Sequence, residues 1–524
     1  MLPRPGIEDI AKYSEELDLQ LTPAEIRSMQ SRMLGHIETF ETFQELRIEE
    51  QRLPLRYTDR NPGYRPTEEE DPLNVFIRKC RIEGAPDGPL KGKTIGLKDH
   101  ISVAGVPLTL GCHFMDGYTP DFDAPLVTRL LDAGATIVGK MNMEDFSFGG
   151  PGLSGVGDFG RPLNPHNPAH VTGGSSSGSG AAVAAGLVDI AFGGDQGGSV
   201  RLPASWSGTV GLMPTHGLVP HTGVFGLDPT IDYVGPLARS VVDIAVVLEC
   251  VAGADGYDPR QTYLPAQLPS YTQALAQDIE GVRIGVLAEG FGFPGSEPEV
   301  ERTVLDALST LEQAGAQLER VSVPLHDKAV LALLPIYFEG GKHMFDTNLA
   351  GSGTKTYYPT SLISTFGRFK RSHGHELPLN YKLHLILGTY LARFTHGRLY
   401  AKAHNVRPTF IKQYNTAFAE VDVLAMPTVP IKAPRYREPQ DYEEAIEHTL
   451  FGGQLGLDLG LVIRNMGPFN LTGHPAITVP CGKVDGLPIG LMLVAPHFRE
   501  DQLLRVAAAY QRLVDWEGML PSLP

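Results

Sequence analysis

Short apolar runs alternate with helix-like segments from about residue 75 onward, and this alternation restricts the fold more than any other feature of the chain. Runs rich in β-branched residues are typical of buried strands, and amphipathic stretches of ten or more residues are typical of helices. The strand-like runs are TIGLKD (94–99), ATIVGK (135–140), VRIGVLA (282–288) and VDVLAMP (421–427), and the helix-like ones include PLVTRLLDAG (125–134) and EVERTVLDALSTLEQAG (299–315). This pattern predicts an α/β protein with a large mixed, mostly parallel β-sheet covered on both faces by helices.

The N-terminal part of the chain differs from the rest in composition and in the spacing of its apolar residues. Residues 1–70 are rich in Glu, Leu, Arg and Gln at helical spacing, with a Thr22-Pro23 start signal, and predict a helical N-terminal extension. The segment RNPGYRPTEEEDPLN (60–74) breaks helices and indicates a linker. We therefore predict one α/β domain over 71–524, in which 330–450, with its aromatic and basic content, is an insertion that shapes the substrate pocket.

Charge and cysteine content exclude several classes of partner. The formal net charge is −16, which argues against nucleic acid or an anionic membrane, since both select clustered Lys and Arg. The four cysteines lie far apart, so neither a zinc site nor a disulfide framework is indicated, and we expect no metal and no cofactor. The N-terminus lacks the apolar segment of a secretion signal, and no apolar run approaches 18 residues, so the expected location is cytoplasmic.

The stretch TGGSSSGSG (172–180) allows three interpretations. As a linker it would not run straight into a good helix former, yet the helix-forming AAVAAGL comes next. As a phosphate-binding loop it lacks the required Lys and Ser/Thr, because Ser179 and Gly180 occupy those places. As a nucleophile elbow it matches GxSxG at Ser176, but the proline-rich residues before it cannot form the required strand.

A second glycine-flanked serine lies 24 residues after Ser175, in GGDQGGSV, and points to a nucleophile. Glycines before Ser199 would let successive backbone N–H groups converge on a negative charge, as an oxyanion hole requires. No Asp–His pair in the sequence stands at a position that would mark it as the general base. Lys98, which ends an apolar strand-like run, is the candidate instead. Burial favours the neutral form of a lysine, which can then accept a proton.

Three long blocks carry a family resemblance: KGKTIGLKDHISVAGVPLTLG, GGSSSGSGAAVAAGLVDIAFGGDQGGSVRLPASWSGTVGLMPTHGLVP and FNLTGHPAITVPCGKVDGLPIGLMLV. Together they resemble the amidase signature family of Ser-cisSer-Lys amidohydrolases, and in detail the free-standing amidases associated with nitrile hydratases. The likeness is strong over 90–260 and 464–510. Local departures are Ser177 in place of a more usual glycine, Gly194 where Thr is common, and His100 where Asn is frequent.

The resemblance implies a role for each matching residue. Ser199 is the nucleophile, Ser175 the bridging serine after a non-proline cis peptide bond at Gly174, and Lys98 the terminal base. The backbone N–H groups of Gln196, Gly197, Gly198 and Ser199 form the oxyanion hole. The glycine-rich stretch 141–155 suggests the acyl pocket, with Phe146, Phe148, Gly149 and Gly150 as candidate substrate-binding residues.

These observations predict a cofactor-free amidase that hydrolyses small linear amides to acid plus ammonia or amine, with ester and carbamate cleavage left open. One alternative is the glutaminase subunit of a tRNA-dependent amidotransferase, which would need a second protein as its partner. Another is a non-catalytic binding protein on the same scaffold. Beyond a small-molecule amide, the only partner we expect is a second copy in a homodimer.

Overall fold

The computed structural model of the chain describes residues 1–149, 158–351, 354–438, 440–441, 443–444 and 459–521. By its internal contacts the chain divides into two compact units, Met1–Arg52 and Leu53–Pro524. No helix among the described residues is both long enough and apolar enough to cross a membrane.

The first unit contains two helices, α1 (Ile7–Glu16) and α2 (Pro23–Glu45). Thr22 caps α2: its Oγ1 accepts a hydrogen bond from Glu25 N, and Glu25 Oε2 accepts one from Thr22 N at 2.8 Å. This reciprocal pairing satisfies two backbone donors at the helix start. The predicted N-terminal helices are confirmed.

The second unit holds twelve described strands and the remaining helices. The strands are β1 (Asn61–Tyr64), β2 (Phe76–Glu83), β3 (Thr94–Lys98), β4 (Thr136–Met141), β5 (Ile190–Asp195), β6 (Val210–Met213), β7 (Tyr233–Ala238), β8 (Arg283–Leu287), β9 (Gln317–Val321), β10 (Val423–Pro427), β11 (Ala476–Val484) and β12 (Leu487–Val494). The helices are α3 (Pro125–Asp132), α4 (Ser177–Ala184), α5 (Arg201–Ser207), α6 (Val241–Val251), α7 (Tyr271–Ala274), α8 (Pro298–Gln313), α9 (Ala329–Pro335), α10 (Gly341–Asp346), α11 (Thr360–Ser372), α12 (Leu379–Thr395), α13 (Arg398–Ala417), α14 (Leu459–Ile463), α15 (Gly467–Thr472) and α16 (Glu500–Leu513), with a π-helical turn at Ile336–Gly340.

The described strands form one sheet in the order β1-β2-β4-β3-β5-β7-β6-β11-β12-β10-β8-β9. The predicted α/β class with a large mixed sheet is confirmed. Seven of the eleven neighbouring pairs formed by these strands are antiparallel and four are parallel. The sheet is therefore mixed, but it is not mostly parallel as the sequence predicted. Alternation of strands and helices does not fix strand direction, and short turns such as Asp485-Gly486 between β11 and β12 join antiparallel neighbours.

Both faces of the sheet are buried, as predicted. In β10, Val423 and Ala425 enter one hydrophobic cluster while Leu424 and Met426 enter another. Because successive strand residues point to opposite faces, the two clusters lie on opposite sides of the sheet. Strands buried on both faces consist of nearly continuous apolar runs, so the sequence alone predicts where such strands lie.

The predicted linker over 60–74 contributes a strand to the sheet edge. β1 pairs antiparallel with β2, and its proline is tolerated because an edge strand leaves one row of backbone groups unpaired. Arg60 anchors the start of this segment through an ion pair with Asp123, with 2.5 Å between Nη2 and Oδ2. The side chains of that pair are 7% and 1% exposed.

Candidate active site

Parallel pairing of β3 and β5 brings two predicted site segments to one edge of the sheet. Leu97 of β3 lies opposite Phe192 of β5, so the two carboxyl ends point the same way. Lys98 is the last residue of β3, and Ser199 follows the end of β5 by four residues. In sheets of this kind, residues that follow parallel strand ends commonly build the site.

Lys98 and Ser175 are in direct contact. The Nζ of Lys98 donates to Ser175 Oγ at 2.7 Å, and neither residue is exposed to solvent. Burial lowers the pKa of Lys98 to about 7, although nearby carboxylates, Glu144 foremost, oppose the shift. A lysine with this pKa is substantially neutral near pH 7 and able to accept a proton.

The turn that carries Ser175 is bonded to the loop that carries Ser199. The Gly174–Ser175 peptide bond is cis. The next residue, Ser176, donates from its N–H to the Ser199 carbonyl at 3.3 Å and from its Oγ to the Gly194 carbonyl at 3.2 Å. The serine that matched GxSxG therefore joins the two segments, while Ser175 faces Lys98.

A buried carboxylate organises the loop around Ser199. Asp195 accepts hydrogen bonds from the N–H groups of Gly198 at 2.7 Å and Val200 at 3.0 Å, on either side of the serine. It also pairs with Arg201 and accepts from Asn470 Nδ2 at 2.8 Å, and the side chains of Asp195 and Arg201 are both fully buried. Burial, the largest single influence, would raise the pKa of Asp195, but the charge of Arg201 and the hydrogen bonds from Arg201, Asn470 and Val200 together hold that pKa below its usual value.

The four backbone N–H groups predicted for an oxyanion hole fall into two sets. Gly198 N–H is engaged by Asp195 Oδ1. Within the described part of the chain, the N–H groups of Gln196, Gly197 and Ser199 make no hydrogen bond, so they are available to a ligand. Gly198 has a φ of +130°, a conformation that favours glycine and turns the backbone before Ser199.

A narrow cleft of about 30 Å³ opens at Ser199, which is 6% exposed. Among the predicted substrate-binding residues, Gly149 lines it, and Gly150 lies outside the described residues. Phe146 and Phe148 are buried behind it: Phe148 contacts the cleft residue Tyr337, with 5.2 Å between ring centroids, and Phe146 stacks on Tyr381 at 4.2 Å. The other described lining residues are Gly174, Gly197, Gly198, Leu202, Leu333, Leu334 and Ile463.

Sequence reasoning missed several of these residues. Leu333, Leu334 and Tyr337 belong to the 330–450 segment that was expected to shape the pocket, but no motif distinguishes them there. Asn470 lies inside a matched block, yet its bond to Asp195 spans 275 residues of sequence and has no local signal. No group of three or more His, Cys, Asp or Glu side chains among the described residues is placed to hold a metal ion.

His100 and Gly194, two of the departures from the family pattern, lie next to each other in the structure. A Cβ built on Gly194 would lie 2.4 Å from Nε2 of His100, whose side chain is buried. The imidazole at position 100 therefore fills the space that a side chain at position 194 would need. Burial lowers the pKa of His100 well below its usual value, so the ring is neutral.

Comparison with known proteins gives matches over most of the chain. The family model described as Amidase matches residues 77–504. An enantioselective amidase of Rhodococcus rhodochrous is 38% identical over 453 residues, which cover 86% of this chain and 85% of the relative. A glutamyl-tRNA(Gln) amidotransferase subunit from Methanosarcina mazei is 38% identical over 437 residues, 83% of this chain and 87% of the relative.

Among solved structures, the native peptide amidase of Stenotrophomonas maltophilia superimposes with a TM-score of 0.66 at 30% identity, covering 81% of this chain and 83% of that one. The fold, the family match and these relatives define a hydrolase of the amide-cleaving class. The chain belongs to the amidase signature family and is an amidohydrolase of that family.

Proposed function

We propose that this chain hydrolyses carboxylic amides to acid plus ammonia or amine through an acyl-enzyme on Ser199. One observation carries the proposal: the buried Lys98 Nζ lies 2.7 Å from Ser175 Oγ, on the turn that is bonded to the Ser199 loop. With a pKa of about 7, Lys98 is able to act as a base at neutral pH.

The reaction proceeds by proton relay. Neutral Lys98 takes the proton of Ser175, which takes the proton of Ser199 as that oxygen attacks the amide carbonyl carbon. The relay returns a proton to the leaving nitrogen, the C–N bond breaks, and the amine departs. Water then attacks the acyl-enzyme by the same route, releases the acid and regenerates the Ser199 hydroxyl.

Backbone donors stabilise the tetrahedral intermediate. The N–H groups of Gln196, Gly197 and Ser199 are available to the developing oxyanion, and Asp195 fixes the loop by engaging Gly198 and Val200. A loop braced in this way needs little reorganisation when negative charge develops on the substrate.

The described cleft walls favour an apolar acyl group. Leu202, Leu333, Leu334, Tyr337 and Ile463 line it, and the described lining contains no charged side chain. Because the cleft holds only about 30 Å³, an acyl group enters only if wall side chains such as the half-buried Leu334 shift. The similarity to an enantioselective amidase supports an amide as the substrate.

The glutaminase function is the second candidate, supported by 38% identity to the glutamyl-tRNA(Gln) amidotransferase protein of Methanosarcina mazei. Glutamine carries an ammonium and a carboxylate at its α-carbon, and each needs a partner of opposite charge when it leaves water. The apolar described lining of the cleft favours amides without such charges.

The decisive test replaces the nucleophile. Ser199→Ala is expected to abolish hydrolysis of a benzamide-type substrate and covalent labelling by a fluorophosphonate, whereas Ser372→Ala, at an exposed position of α11, leaves both unchanged. Full activity in Ser199→Ala would overturn the proposal. Turnover of glutamine by the purified chain in preference to benzamide and aliphatic amides would replace it with the glutaminase function.

A further inference from the structure

A second cavity, of about 400 Å³, lies apart from the cleft at Ser199 and shares no lining residue with it. It is partly open to solvent and is lined by residues from β7, α13 and α15, from the loops that follow β6, α6 and β12, and from the loop that precedes β7. Its described lining combines two arginines and two histidines with apolar side chains: Thr215, His216, Thr230, Tyr233, Arg260, Tyr263, Leu264, Arg407, Ile411, Leu471, Thr472, Gly473, His497 and Phe498.

The two arginines of this cavity differ in their partners. Arg260 is neutralised by Asp258, with 2.6 Å between Nη2 and Oδ2, and donates to the carbonyl of Asp232. Arg407 has no carboxylate oxygen within 4.0 Å among the described residues. Its one hydrogen bond there is a long one, 3.3 Å from Nη2 to Thr230 Oγ1, and its buried Nε has no hydrogen-bond partner.

Asp228, the one carboxylate that acts electrostatically on Arg407 among the described residues, already has hydrogen-bond partners. Asp228 accepts from Thr230 Oγ1 at 2.6 Å and from the Tyr400 hydroxyl at 2.9 Å. Burial lowers the pKa of Arg407, and its effect exceeds the opposing influence of Tyr233, Asp228 and Tyr400. A buried guanidinium donor without a partner is costly, so the site is suited to receive an anion.

The remaining polar groups of the lining add no competing negative charge. His216 and His497 direct their Nε2 atoms at the backbone carbonyls of Pro229 and Thr472, at 3.0 and 2.9 Å. Burial lowers the pKa of His216 to about 3, so that ring is neutral. Arg407 therefore supplies the one positive charge of the described lining that has no directly bonded carboxylate.

The walls of the cavity decide which anion fits. Leu264, Ile411, Leu471 and Phe498 present apolar surface around the guanidinium. A hydrated inorganic anion would bring its water against these walls, whereas an organic acid pairs its carboxylate with the arginine and buries its apolar body. We propose that this cavity is a binding site for a small organic carboxylate, held by Arg407 and separate from the Ser199 cleft.

Calorimetric titration with benzoate tests the proposal on the full chain, with inorganic phosphate as a second probe. Arg407→Gln is expected to weaken benzoate binding roughly tenfold or more, the usual effect of losing a charge-assisted hydrogen bond. Lys412→Gln, which removes one positive charge from an exposed position of the same helix, is expected to leave the affinity unchanged. Because benzoate is also the acid that hydrolysis of benzamide releases, only the part of the benzoate affinity that depends on Arg407 reports on this cavity, and that part does not depend on turnover at Ser199.

Three outcomes of the titration would overturn the proposal: equal benzoate affinity in wild type and Arg407→Gln, no benzoate binding at millimolar concentration, or phosphate binding that depends on Arg407 without benzoate binding. A wild-type crystal soaked with 4-bromobenzoate gives a test that does not depend on the variant folding. The bromine signal is expected in this cavity, with the carboxylate on Arg407, and a signal confined to the Ser199 cleft would refute the proposal.

Discussion

A single buried lysine sets the pH range in which the proposed site works. Burial lowers the pKa of Lys98 to about 7 from the usual 10.5, so its base form predominates above neutrality. We expect kcat/KM for an amide to fall as the pH drops below about 7, measured as a pH–rate profile. Lys98→Met is expected to lose a factor of roughly 10²–10⁴ in kcat/KM.

The same lysine makes the free energy of unfolding depend on pH. Between about pH 7 and 10.5 the unfolded chain holds a proton on Lys98 that the folded chain lacks, so this residue makes the free energy of unfolding rise with pH. Lys98→Met is expected to remove that rise, measured by urea unfolding at several pH values. An unchanged pH dependence in the variant would show that Lys98 is not buried as a neutral group.

A third prediction at the residue scale concerns His100 and Gly194. Gly194→Thr introduces a Cβ that would lie 2.4 Å from the His100 ring, and overpacking of this kind costs about 1–3 kcal/mol. His100→Asn shortens the opposing side chain, so the double variant is expected to recover most of the lost stability. Urea unfolding of the two single variants and the double variant gives the coupling energy, and simple additivity would contradict the prediction.

At the scale of elements, the turn from β5 into α5 depends on the buried pair Asp195–Arg201. Both side chains are fully buried, and removing one partner leaves an uncompensated charge. Arg201→Met is expected to cost about 3–5 kcal/mol in the free energy of unfolding. Because Asp195 also fixes the backbone on both sides of Ser199, kcat is expected to fall as well.

An exposed ion pair serves as the control for that variant. Arg81 and Glu83 have side chains that are 66% and 61% exposed, and pairs of this kind contribute about 0–1 kcal/mol. Arg81→Met is therefore expected to leave the denaturant midpoint and kcat nearly unchanged. Equal losses in the Arg201 and Arg81 variants would show that burial of the Asp195 pair contributes nothing.

The positions of several strands could be predicted from the sequence because the pattern that marks a buried strand lies within a few consecutive residues. The apolar runs at 94–99 and 421–427 became β3 and β10, since strands buried on both faces need apolar residues at nearly every position. Strand direction, the contact of Asn470 with Asp195 and the cleft wall around Tyr337 depend on contacts between distant segments. Nothing within a ten-residue window encodes them.

At the scale of the whole molecule, the compact-unit boundary after Arg52 yields a truncation test. Leu53 belongs to a hydrophobic cluster of the second unit, and Arg60 forms the buried ion pair with Asp123. Deleting residues 1–52 removes none of these groups. Deleting residues 1–70 removes both Leu53 and Arg60, and leaves the Asp123 carboxylate buried without its guanidinium partner.

The longer deletion is therefore expected to lower the unfolding midpoint well below that of the shorter one, by an amount equivalent to about 3–5 kcal/mol from the ion pair alone. Thermal and urea unfolding of both truncated chains measure the difference, and Arg60→Met in the full-length chain isolates the ion pair. If the two truncated chains unfold at the same midpoint, segment 53–70 is dispensable and a domain boundary at residue 70 is favoured. If only the longer deletion and Arg60→Met are destabilised, the catalytic unit begins at Leu53, because its buried carboxylate needs a cation supplied from that segment.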